Sequence, residues 1–273
     1  MNMGRKDEKH KHRTLRSLPN NSRFYILSSS ILLSLTISAW LRLQIPSDQL
    51  FYIRLEQVFG FLSICFLYTA VIISPLSKTV GKTGWMEHLI FARRAIGVSA
   101  AYFACLHAPV FLWGQVGGLS SIGLLPERFQ FSFLIGVVSL AILLVMAVTS
   151  FDKVITFMTP KRWKLLHRLI YGGGILIILH VWMIGTHIAY SWVKVSAVVL
   201  LAIFFALESL RIAKNLTAKY RDLDTKEYLA TIAFCIWVVW MTLLLSIPGV
   251  VKNYHSEHHS KHPSSNIQGD KNE

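Results

Sequence analysis

Apolar runs of about twenty residues recur seven times along the chain, separated by short polar stretches. They fall at residues 24–43, 55–75, 90–113, 131–151, 163–186, 190–212 and 228–247. At ~1.5 Å of rise per residue, each is long enough to cross roughly 30 Å of hydrocarbon as an α-helix. The pattern predicts an all-α, polytopic membrane helical bundle with a six-helix core and a seventh helix after it. Residues 77–88 are short and weakly apolar, and are expected to lie at the interface rather than to span.

The organisation that follows has four parts. Residues 1–23 form a basic N-terminal tail, 24–212 a six-span bundle, 213–249 a loop and seventh helix, and 250–273 a His-rich tail. Composition agrees with the hydropathy pattern. The chain is 53% hydrophobic and 15% charged, where a soluble domain usually carries ~25% charge. The net charge of +14 would suit nucleic acid if it were clustered on a soluble face, but its placement points to topology instead. With the N-terminus in the cytoplasm, 21 of the 28 Lys and Arg residues fall on the inner side, as the positive-inside rule requires. The C-terminus is then extracytoplasmic, and the expected location is a bacterial inner membrane, with the bilayer as partner and no nucleic acid. Trp40, Trp113 and Trp192 fall near outer span ends and Trp85 and Trp163 near inner ends, in the manner of an aromatic belt. Cys65, Cys105 and Cys235 lie within spans and read as small buried hydrophobes.

Three histidines interrupt these apolar runs: His107 in the third, His167 and His180 in the fifth. Polar side chains at membrane depth are expensive, so their default reading is functional. Neutral imidazole is a good axial ligand for haem iron. Counting from the inner ends of the two parallel spans, His107 and His180 lie at about the same depth, which makes them the best ligand pair. His167 lies thirteen residues before His180, about 20 Å away along a helix and about 220° around it, so the two would not share a face. Gly172, Gly173 and Gly174 stand between them, either permitting distortion or close approach of a haem, or allowing tight helix packing. At the matching inner depth of the third span stand Arg93 and Arg94, suited to a haem propionate or a lipid phosphate rather than to iron. His88 is the other nearby imidazole.

Further candidates have blander alternatives. His187 follows His180 by seven residues and is either a surface histidine or an alternative ligand. His255, His258, His259 and His262 form a tail that would bind a transition metal or merely be solvated. Glu208 is placed to pair with Arg211 at i+3. There is no dinucleotide fingerprint, no phosphate loop and no C-x-x-C-H for covalent haem.

Four blocks carry a likeness to a known family. They are Gly60-Phe-Leu-Ser running on to Ser74-Pro75, Arg93-Arg94-Ala-Ile-Gly97, Ala-Cys-Leu-His107, and Lys161-Arg-Trp163-Lys-Leu-Leu-His167-Arg-Leu-Ile-Tyr171 running on to His180-Val-Trp182. Together they resemble the ferric reductase-like transmembrane family, and within it the haem-binding subunit of the bacterial methionine sulfoxide reductase system. The likeness runs from about Gly60 to Trp182. It implies that His107, His167 and His180 hold one or two haems of b type, with Arg93 and Arg94 standing where other members carry a fourth histidine. It also implies electron transfer from a separate cytoplasmic donor, a flavin reductase or quinol, to an extracytoplasmic acceptor, either a periplasmic oxidoreductase or ferric or cupric ions. The chain would then be an oxidoreductase component without its own flavin or nicotinamide domain; a flavin is compatible with the resemblance but has no motif in the sequence. The competing readings are a metal-ion transporter using the intramembrane and tail histidines, and a haem-free structural subunit of a membrane complex.

Overall fold

The computed structural model describes residues 19–81, 83–184, 191–219 and 229–241, and these are helical apart from turns. In chain order the helices are α1 (Pro19–Gln44), α2 (Asp48–Val80), α3 (Gly84–Gly114), α4 (Glu127–Val148), α5 (Asp152–Phe157), α6 (Pro160–Leu166), α7 (Leu169–Ile184), α8 (Ser191–Lys219) and α9 (Leu229–Met241). A 3₁₀ turn, Leu119–Leu124, lies between α3 and α4. Among the described residues six helical stretches are long and apolar enough to cross a membrane, with α6 and α7 counted as one, so the chain is a multi-pass membrane protein. Large side chains such as Leu32, Leu35, Phe61, Leu134 and Ile175 point outward, as expected where the solvent is lipid.

Helix α3 is the centre of the bundle. Its inward face is small: Ala95, Ser99, Ala100, Ala101 and Ala104 are buried, with Phe103 beside them. Lipid is as apolar as a leucine core, so association in the bilayer depends on close packing and polar contacts between helices, which small residues permit. Hydroxyls supply the polar part. Ser30 Oγ of α1 donates to Ser99 Oγ at 2.9 Å, Ser34 Oγ lies 2.8 Å from Tyr102 Oη, and Ser63 Oγ of α2 donates to the Ala100 carbonyl at 2.9 Å. Phe66 and Phe103 stack at 5.4 Å between α2 and α3. The most extensive packing is of α2 on α3 and of α4 on α7, while α3 and α4 meet over a smaller surface.

Residues 77–88 form the reversal between two long helices. Helix α2 continues to Val80, the chain turns at Gly81 with φ of 90°, and α3 starts at Gly84. A positive φ is open to glycine at no steric cost, and this lets the two long helices reverse in three residues. One expectation is corrected: the fifth span is not one continuous helix. Helix α6 ends at Leu166, His167 and Arg168 form a turn, and α7 begins at Leu169. The interruption precedes the three glycines. Of these, Gly173 is in tight contact with Ile142 of α4, 3.1 Å from where its Cβ would stand, so it serves helix packing.

The seventh apolar run is described only over α9, which packs on α8: Phe205 and Trp240 stack at 4.9 Å, and Trp237 Nε1 donates to the Ala202 carbonyl at 3.2 Å. His187 and the four tail histidines lie outside the described residues.

Candidate functional site

His107 of α3 and His180 of α7 face one another, with ring centroids 6.4 Å apart and planes at 85°. Each ring is held by the same local device. In an α-helix the carbonyl of residue i already accepts from the N–H of residue i+4, and a side chain at i+4 normally covers it. Here residue i+4 is glycine on both partner helices. On α2, the Glu56 carbonyl accepts from His107 Nδ1 at 3.0 Å, and Gly60, four residues on, has no Cβ to obstruct the ring. On α4, the Ser132 carbonyl accepts from His180 Nδ1 at 2.8 Å, and Gly136 stands four residues on. A Cβ at Gly60 would lie 2.9 Å from His107 Nδ1, and one at Gly136 would lie 2.9 Å from His180 Cε1. Side chains add a further layer of contacts. The Glu56 carboxylate oxygen Oε1 lies 3.1 Å from His107 Nδ1, and Ser132 Oγ lies 3.1 Å from His180 Nδ1.

A carbonyl only accepts, so both rings carry their proton on Nδ1, leaving Nε2 with its lone pair. A donated Nδ1–H is the usual way a protein fixes the tautomer and orientation of a metal-ligating histidine. The spacing also suits one metal held between the rings. Two imidazoles this close could both reach one metal. The donor set therefore fits a haem iron, and the two glycines are places where a Cβ would fill the cradle.

His167 belongs to a different group. Its ring lies on Trp163 at 4.1 Å, and its Nε2 is 3.3 Å from Thr149 Oγ1. Trp163 Nε1 donates to the Thr149 carbonyl at 3.0 Å, and the Arg94 guanidinium sits over the Trp163 ring at 5.6 Å. These ties draw the end of α6 onto the end of α4 and account for the helix break at His167. Arg94 also reaches Asp152 Oδ1 at 2.9 Å, while Arg23 of α1 reaches Oδ2 at 2.6 Å. These side chains line a cavity of about 200 Å³ with Leu27, Val98, Ser150 and Phe151. Arg93 turns the other way, donating to the Ala70 carbonyl at 2.9 Å and to Ser74 Oγ at 2.6 Å, beside the proline of α2. His88 is exposed. Among the described residues no cluster of three or more His, Cys, Asp or Glu side chains is arranged for a free metal ion.

Glu208 does pair with Arg211, and the pair is part of a larger buried group. Tyr171 Oη of α7 donates to Glu208 Oε1 at 2.8 Å, and Arg211 donates to both of them. Sequence reasoning missed Glu56, Ser132, Thr149 and the work of Gly60 and Gly136. The signal for the glycines was present: each follows a polar residue by four positions, within an apolar run, on a span next to one bearing a histidine.

Comparison with known proteins falls on these same helices. Residues 58–179 match the ferric reductase like transmembrane component. The protein-methionine-sulfoxide reductase heme-binding subunit MsrQ of Azospira oryzae is 30% identical over 128 residues, 46% of this chain and 52% of that one. Its counterpart from Herminiimonas arsenicoxydans is 31% identical over 121 residues, 44% and 53% of the two chains. That of Deinococcus radiodurans is 32% identical over 125 residues, 45% and 58%. The chain thus spans about half the length of the curated relatives it matches. No solved structure matches it. Residues 58–179, which include His107 and His167 and end one residue before His180, are therefore similar to a ferric reductase-like transmembrane component.

Proposed function

We propose that this chain is a membrane electron-transfer subunit in which His107 and His180 would hold a b-type haem. The observation that carries the reading is the 6.4 Å separation of two imidazoles whose Nδ1 atoms are both turned onto helix carbonyls. The group would supply a one-electron Fe(III)/Fe(II) couple in an apolar surround. The chain's own part would be to present the two Nε2 lone pairs, to exclude competing ligands, and to set the imidazoles' basicity through their Nδ1 contacts.

The similarity to MsrQ heme-binding subunits supports this reading. By the charge distribution, the subunit would sit in a bacterial inner membrane with its N-terminus in the cytoplasm and its C-terminus outside. Electrons would enter from a separate flavin reductase or from quinol and leave to an extracytoplasmic oxidoreductase or metal acceptor. His107 and His180 lie near the outer ends of their spans on this topology, close to where such an acceptor docks.

The deciding experiment is a dithionite-reduced minus oxidised spectrum of the detergent-solubilised protein, with haem quantified per chain. Sharp b-type bands with one haem per chain are expected. Protein from haem-replete cells that carries none would reject the reading. Two haems per chain would bring the His167 and Arg94 group in as a second site.

A further inference from the structure

The two ring-holding devices differ at one position, where one has a carboxyl group and the other a hydroxyl. Tyr52, Glu56 and Gly60 occupy positions i, i+4 and i+8 of α2, so all three face α3. Tyr52 closes on Gly114, where a Cβ would meet its ring at 2.6 Å, and Gly60 closes on His107. Glu56 is fixed between these two close approaches. Its side chain is only 14% exposed, with Oε1 3.1 Å from His107 Nδ1 and Oε2 3.4 Å from Gln115 Nε2, just past the end of α3. The corresponding residue on α4 is Ser132, which offers His180 a neutral carbonyl and a hydroxyl. One imidazole thus has a carboxyl group as well as a carbonyl at its Nδ1, and the other a carbonyl and a hydroxyl.

We propose that Glu56 is a positioning residue for His107 that makes it the stronger donor of the two ligands and lowers the reduction potential of the haem they hold. This rests on the haem reading above. An anionic acceptor on Nδ1–H shifts electron density towards Nε2, and a more electron-rich imidazole stabilises Fe(III) over Fe(II). The effect concerns a one-electron couple with no bond made or broken in the protein. Glu56 itself does not touch the metal.

The test is a potentiometric titration of the purified haem-loaded protein, following the reduced absorption bands, for the parent and for E56Q, E56A and E56D. Loss of the anion in E56Q and E56A is expected to move the Fe(III)/Fe(II) equilibrium about tenfold towards Fe(II), a rise of about 59 mV for one electron. E56D keeps the carboxylate and is expected to stay nearer the parent. Low-spin ferric electron paramagnetic resonance should shift in the neutral variants while haem per chain is retained. Either neutral variant is sufficient if the other fails to accumulate. An unchanged potential in a haem-replete neutral variant overturns the proposal, because a purely structural Glu56 would alter melting and leave the couple alone. A parent without haem would instead reject the reading on which the proposal stands.

Discussion

Gly60 and His107 are in such close register that a methyl group on the glycine would lie 2.9 Å from Nδ1 of the ring. That contact is below any ordinary van der Waals separation, so either the ring or the helix must move. Gly136 bears the same relation to His180, at 2.9 Å from Cε1. G60A and G136A are therefore expected to lose most of their bound haem and to cost about 1–3 kcal/mol of stability through overpacking. G172A and G174A, which open onto free space in α7, should keep the parent's haem content and provide the control. Haem-to-protein ratio and thermal melting in detergent read both effects.

The histidines separate into two classes. On the proposed haem reading, H107A and H180A are each expected to abolish the b-type spectrum, since either would leave one of the two imidazoles alone. H167A should preserve it, because His167 packs on Trp163 and Thr149 and not on the other two rings. Its cost should be about 1 kcal/mol from the lost hydrogen bond. A spectrum that survives H107A, or that vanishes in H167A, would contradict the assignment.

Asp152 joins α1 and α3 through Arg23 and Arg94. Its side chain is 63% exposed, so solvent screens much of the attraction, and D152A should lose only about 1 kcal/mol. The loss should shrink further at high salt. Melting curves at low and high ionic strength check both statements.

Inside the bundle the balance is different. The Glu208 side chain is 3% exposed, and its pair with Arg211 is completed by Tyr171. Removing one partner of a buried pair leaves an uncompensated charge and typically costs about 3–5 kcal/mol. R211M should therefore be the most destabilised variant here, and the double variant E208Q/R211M should recover much of the loss. Yield and melting temperature of the three proteins decide the matter.

Much of this was legible before the structure. Hydropathy located the six spans because the bilayer imposes a length that few other environments demand. The pairing of His107 with His180 followed from depth alone, since two parallel helices entered at similar charged ends and the histidines lay equally far along. The interruption at His167 was not legible. Its local sequence favours continued helix, and the turn is imposed by Trp163 and His167 both binding Thr149 from another helix. Glu56 was also invisible, because an acidic residue at the very start of the apolar run 55–75 reads as a solvated end until α3 is packed against it.

The pairing of helices adds a consequence for biogenesis. Helices α2 and α3 make one tightly packed couple and α4 and α7 another, while His107 and His180 meet where the couples abut. An iron bound by both imidazoles would rivet two half-proteins that otherwise share less surface. Haem supply would then act as a checkpoint in maturation. Without the shared iron, the two couples would be held to one another mainly through the smaller α3–α4 surface.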